Sequence, residues 1–254
     1  MDELFGTLFG NTPLSQQLMY LQMELGTAIW ETIYSTIVAT FFSYVIGLPL
    51  GVILVTGEKG GVRPLPGWLM KVLNTVVNLL RSVPFLILMV MVIPLSRMIL
   101  GTSVGTTASI IPLICAAFPF VARLVEASLR ETDKGILEAA QAMGCTPMQI
   151  IRKVMLPEAL PSLLIGFTTA FITILSYGAM SGAIGGGLGS LAINYGYQRK
   201  MYFILYVSVV ILVVMVQVFQ SLGTHFAVAL DRRVTNKRGK SVRKAHRDEK
   251  AGLQ

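Results

Sequence analysis

The sequence predicts an all-α, polytopic membrane protein of about five transmembrane helices, with its N-terminus outside and its C-terminus inside. Three observations carry this prediction. Of 254 residues, 54% are hydrophobic and 13% charged, against roughly 25% charged in an ordinary soluble domain, and the mean hydropathy is +0.68. The charges are bunched: no Asp, Glu, Lys or Arg occurs in residues 32–57, 82–96, 98–122, 159–198 or 201–230. Such windows suit helices of about 20 residues, which cross a hydrocarbon core of about 30 Å with every backbone N–H and C=O paired internally. Finally, five spans place all but Arg97, Arg199 and Lys200 of the 21 basic residues on the inner side, the positive-inside bias.

Residues 1–26 form an extracytoplasmic N-terminal segment. The first 31 residues hold Asp2, Glu3, Glu24 and Glu31 but no Lys or Arg, which is not the pattern of a cleaved secretory signal. Leu14, Leu18, Leu21 and Leu25 recur at helical spacing. That suits an amphipathic helix on the outer interface ahead of the first span, or a plain surface lead-in.

Residues 27–230 form the transmembrane domain. The 40-residue window 159–198 could hold two minimal spans, but a hairpin there would move the nine basic residues after Leu230 to the outer face, so one span is expected. Within it Gly178, Gly182 and Gly186 recur every four residues, a face that suits tight packing within the chain, or a dimer or pore contact. Thr168, Thr169, Thr173, Ser176 and Tyr177 put hydroxyls on the same span, either lining a path or bonding back to their own helix. Met89, Met91 and Met180 either flank an apolar route or fill space. Residues 231–254 form a basic cytoplasmic tail, read as a topology signal and a contact for anionic lipid rather than for nucleic acid.

Catalytic and metal sites are not expected. His225 and His246 are the only histidines. "GTSVGTTAS", residues 101–109, lacks the lysine of a phosphate loop and reads as an outer loop. Gly187, Gly189 and Ala192 match a dinucleotide fingerprint in spacing but follow a membrane helix, not a strand. Cys115 and Cys145 make neither a structural disulfide nor a metal motif. All acids are expected outside the spans except Glu126, which should form a surface ion pair with Arg123 near the headgroups. A chain without intramembrane acids has no ion-coupling groups of its own, so energy for transport must come from another subunit.

The exception to this apolar chain is "EAAQAMGCTPMQIIRKVMLPEALP", residues 138–161, within a cytoplasmic loop at residues 131–160. Ile136, Ala139, Ala140 and Met143 make a short apolar stripe at helical spacing, and Gly144 ends that helix. Thr146, Pro147 and Gln149 spell an N-cap, a first helical residue and a capping box. Pro157 should push Leu156 out of the α region and stop the second helix. Two rigid helices at an angle result, either an interfacial helix–turn–helix or a docking element covered by a partner.

The loop resembles the EAA loop of the membrane subunits of bacterial ABC importers: Glu138-Ala139-Ala140, Gly144, then Val154 where the family has isoleucine, then Leu156-Pro157. "RSVPFLILMVMVIPLSRMILGTSVG" (81–105), "PFVARLVE" (119–126) and "NYGYQR" (194–199) are similar to the methionine-importer permeases. "SGAIGGGLGSL" is one residue shorter than that group's glycine-rich stretch, which leaves the outer gate's geometry open. The resemblance implies a type I ABC importer permease fold in the bacterial plasma membrane, a homodimer, and no cofactor, with ATP bound by a separate cytoplasmic ATPase subunit. It also implies an extracytoplasmic substrate-binding protein or lipoprotein, and ATPase coupling through Glu138, Ala139, Ala140, Gly144, Val154, Leu156 and Pro157. Substrate-binding residues are not identified. Methionine, D or L, is the expected cargo; another amino acid or small organic solute, and an ATP-independent channel or scaffold, are the alternatives.

Overall fold

The computed structural model describes residues 12–230, and the basic tail, His246 and residues 1–11 lie outside them. The described residues are helices and connections, with no strand among them: α1 Leu14–Thr56, α2 Gly67–Ser82, α3 Phe85–Leu100, α4 Thr106–Arg130, α5 Lys134–Ala142, α6 Pro147–Ile150, a π-helical turn Ile151–Met155, α7 Leu156–Glu158, α8 Leu160–Ser181, α9 Gly187–Ser190, a π-helical segment Leu191–Gln198, and α10 Tyr202–Leu230. Four helices, α1, α4, α8 and α10, are each long and apolar enough to cross a membrane. A fifth candidate is the pair α2 and α3, 16 residues each, which meet at 108° and together are long and apolar enough for a broken span or a re-entrant loop. The break falls at Val83-Pro84, where Val83 is extended and Pro84 caps α3, as the residue before a proline should be. The window 159–198 holds a single span, α8.

The expected separate lead-in helix does not exist as such. Residues 14–26 are the first turns of α1, continuous with the span over 43 residues, or about 65 Å at 1.5 Å per residue. The leucines divide: Leu21 is buried against Leu188, Leu191 and Ile204, whereas Leu14 and Leu18 are exposed. A helix that packs on its own chain at this end has no reason to break there.

The core is built on α4. Its apolar window is 56% buried, against 11% for α10, so α4 is enclosed by protein while α10 lies at the edge. On one side α1 lies directly on it, because Gly47 and Gly51, four residues apart, place backbone against α4. A Cβ on Gly51 would stand 2.6 Å from the Ala122 carbonyl oxygen, and one on Gly47 2.7 Å from the Val121 side chain. This is the small-xxx-small contact of membrane helices. The sequence reading assigned that role to Gly178, Gly182 and Gly186, but α8 ends at Ser181 and Gly186 lies beyond it as the residue capping α9. The three glycines therefore share no single helix face.

Candidate functional site

The charged loop folds into a corner held by two backbone motifs. Asp133 caps α5, its carboxylate accepting the Gly135 N–H at 2.7 Å. At the other end Gly144, at φ 76°, donates its N–H to the Gln141 carbonyl and Cys145 donates to the Ala140 carbonyl, the pair of bonds that closes a helix around a left-handed residue. One residue later Thr146 opens α6 with the full capping box: Gln149 donates to the Thr146 hydroxyl, and the Thr146 N–H donates to Gln149 Oε1 at 2.8 Å. Thus six consecutive residues, Gly144 to Gln149, turn the chain and satisfy its helix ends.

Beyond the corner the structure departs from expectation. Pro157 does not stop the helix: Leu156 keeps α-helical angles, φ −63° and ψ −45°. The chain widens into a π turn over Ile151–Met155, in which the Leu156 N–H reaches the Ile151 carbonyl five residues back. A π turn is a usual way for a helix to absorb such a mismatch. The loop thereby runs through α7 to Ala159 and on into α8.

The residues matched to the EAA pattern segregate by face. Glu138, Ala139, Gly144 and Pro157 are exposed, Val154 and Leu156 half-buried, and Ala140 is 2% exposed. Ala140 joins Ile150, Ile151 and Met155 against Val121, Val125 and Leu129 of α4. The stripe Ile136, Ala139, Ala140, Met143 is therefore split. Its Ala140 edge is seated on the chain's own core, while Ile136 and Met143 face outward, Met143 at 76% exposure. Met148, at the start of α6, adds a further outward apolar side chain that the periodicity left unassigned.

Above the loop, at the end of α4, lies a polar network. Glu126 is not the expected surface partner; it is 7% exposed and takes both Arg123 and Arg130. Arg130 also donates through Nη1 to Glu58 at 2.9 Å, and Arg123 Nη2 donates to Asn74 and Asn78 at 2.9 Å each. The hydrogen bond from Arg130 holds the Glu58 carboxyl below the usual carboxylate range.

At the opposite end of the bundle the glycine-rich stretch is latched to α1. Glu31 lies on α1; its carboxylate accepts the Gly187 N–H at 2.7 Å, and the Thr32 hydroxyl accepts the Leu188 N–H at 2.9 Å. Gly187 has φ 78°. A Cβ on Gly186 would collide with Glu31 and with Thr106, and one on Gly182 with the backbone of Gly189 and Ser190. Gly178, by contrast, has no neighbour nearer than Thr36 Oγ1 at 4.0 Å. Residues 106–109 of the supposed outer loop form the first turn of α4.

Of the candidate path residues, the Thr168, Thr169, Thr173 and Ser176 hydroxyls all donate to carbonyls of their own helix. Tyr177 stacks on Phe85, centroids 4.6 Å apart. Met89 is buried in the same cluster as Phe85, while Met91 and Met180 are exposed. Both cysteines are free thiols, and no metal-ligating cluster occurs among the described residues.

This multi-pass helical bundle is that of a membrane transport component: the chain belongs to the binding-protein-dependent transport system inner membrane component family, whose pattern matches residues 47–236. More narrowly, it is 51% identical over 209 residues to the "Probable D-methionine transport system permease protein MetI" of Vibrio cholerae serotype O1, covering 82% of this chain and 92% of that one. It is 46% identical over 169 residues to the "D-methionine transport system permease protein MetI" of Escherichia coli K12, 66% of this chain and 76% of the other. Its fold is similar to a solved structure described as "Inward facing conformations of the MetNI methionine ABC transporter", with a TM-score of 0.81 and 43% identity over 84% of this chain and 98% of that one.

Proposed function

We propose that two copies of this permease form the path of an ATP-driven importer for methionine, as the D form, the L form or both. A separate pair of ATPase subunits supplies the energy, and an extracytoplasmic binding protein or lipoprotein delivers the cargo. In this reading the N-terminus faces outward and the end bearing residues 131–160 faces the cytoplasm. The chain then holds no ATPase site and no cofactor; ATP binds the partner.

The observation that carries the reading is the corner at residues 143–149. It fixes the angle between two short helices, seats their inner edge on α4, and leaves Ile136, Glu138, Ala139, Met143 and Met148 outward. An apolar, rigidly held surface is what a partner needs in order to push on a span. As the ATPase pair closes, the corner moves with it, and α4 carries that motion into the bundle.

The test is reconstitution in liposomes. The permease purified with its ATPase should take up methionine only when ATP is on the ATPase side, and unlabelled methionine should be the best competitor. Uptake without ATP would overturn the ATP-driven reading, and better competition by histidine or arginine would overturn the choice of cargo.

A further inference from the structure

Glu126 is the one acid on α4, and it is buried where that helix meets three other parts of the chain. We propose that Glu126 is a positioning residue that makes α2, the first limb of the bent pair, travel with the coupling loop. The inference rests on the ATP-driven reading above.

Two guanidiniums converge on this carboxylate, from Arg123 three residues before and Arg130 four residues after, Arg130 Nη2 at 2.8 Å. Each arginine then reaches a different element. Arg123 Nη2 bridges Asn74 and Asn78, one turn apart on α2. Arg130 donates to Glu58, just past the end of α1. The same last turns of α4 present Val125 and Leu129 to Ala140, Ile150 and Met155 of the loop. One short stretch of helix therefore grips the loop by apolar packing and α2 by charge.

The charge matters more for α2 than for the loop. Met70 and Val77 of α2 are buried against Leu54 and Ala122, but the other 14 of its 16 residues are half-buried or exposed, so the polar tie is a second hold on a lightly seated helix. Glu126 aims both arginines. Without its negative charge, Arg123, whose side chain is 18% exposed, loses the acid that fixes its direction, while Arg130, exposed and still held by Glu58, is less affected. Arg123 would then no longer present a fixed fork to Asn74 and Asn78, and a push delivered at the loop would move α4 while α2 lagged.

The experiment uses the full permease with its ATPase in liposomes, reading methionine accumulated per ATP hydrolysed and normalised to assembled complex. Glu126→Gln keeps the shape and removes the charge. The pair Asn74→Ala with Asn78→Ala cuts only the link to α2 and serves if Glu126→Gln assembles poorly. Both should lower uptake per ATP by about fivefold or more, the low end of typical coupling between sites, while ATP hydrolysis per complex persists. Spin labels at Thr75 on α2 and Gln141 on α5 should keep a constant separation on ATP binding in the parent and change it in the variants. Uptake per ATP at the parental value in both variants would overturn the inference and leave the ATP-driven reading standing. A parental complex that shows no ATP-driven uptake would overturn that reading and this inference with it.

Discussion

The Glu31 carboxylate of α1 accepts the backbone N–H of Gly187 at 2.7 Å, joining residues 156 apart in the chain. Gly186 lies against the same carboxylate and against Thr106 so closely that a Cβ cannot be added without moving one of them. Glu31→Ala and Gly186→Ala should therefore loosen the same latch by different routes, one by deleting the acceptor and one by wedging it. A hydrogen bond to a charged group contributes about 1.5–3 kcal/mol. Each variant should lose thermal stability in detergent, and the double variant should lose less than the sum, which a midpoint measurement on the four proteins checks.

Gly144 has open space around it, with no atom within 4 Å of where a Cβ would stand, and its φ is 76°. Substitution is therefore penalised only by backbone conformation, of order 1–3 kcal/mol for a β-branched residue. Gly144→Val should insert and dimerise normally yet lose transport and substrate-stimulated ATP hydrolysis together. Gly144→Asn, which tolerates the left-handed region, should retain most of both. Equal activity in the three proteins would show that this corner does not set the coupling geometry.

Gly51 and Gly178 should differ in their response to alanine. At Gly51 the added methyl meets the Ala122 carbonyl oxygen at 2.6 Å and Val125 at 2.7 Å, whereas at Gly178 it meets only Thr36 Oγ1 at 4.0 Å. Overpacking of that kind costs about 1–3 kcal/mol, so Gly51→Ala should lower the yield of folded protein in mild detergent. Gly178→Ala should leave it unchanged; a comparison of monodisperse peak areas decides.

The Glu58 carboxyl is held below the usual carboxylate range by its hydrogen bond from Arg130. A depressed folded-state value means that this contribution is complete above the unfolded glutamate value and is lost as pH falls through the folded one. The window is therefore acidic, below about pH 4.3, and neutral pH lies outside it. The side chain is 43% exposed, so solvent screening keeps the effect below about 1 kcal/mol. Thermal midpoints of the parent and Glu58→Gln should differ at pH 7 and converge as the pH falls below the folded value.

Much of the loop was legible in the sequence because its instructions are local. Gly144, Thr146, Pro147 and Gln149 act on backbone groups within five residues, and the motif needs no distant partner to form. The path after the corner was not legible, since Pro157 forbids one hydrogen bond but does not say whether the helix ends or widens. The π turn at Ile151–Met155 goes with the burial of Ile151 and Met155 in one cluster with Val121, Val125 and Leu129 of α4, a contact between distant parts of the chain.

The sequence by itself determined the class of fold and the capped corner, because charge-free windows and caps are written in consecutive residues. Only the tertiary structure decided which apolar faces meet. In a membrane, lipid and protein interior are equally apolar, so hydrophobic periodicity does not mark the packed side. That is why the close approach of α1 to α4 at Gly47 and Gly51 did not show in the periodicity, while Gly182 packs on the backbone of Gly189 and Ser190 rather than along one face with Gly178. The same holds for the two acids. What partners Glu31, half-buried, and Glu126, buried, depends on what the folded chain brings to them, which is the Gly187 N–H in one case and two arginines in the other.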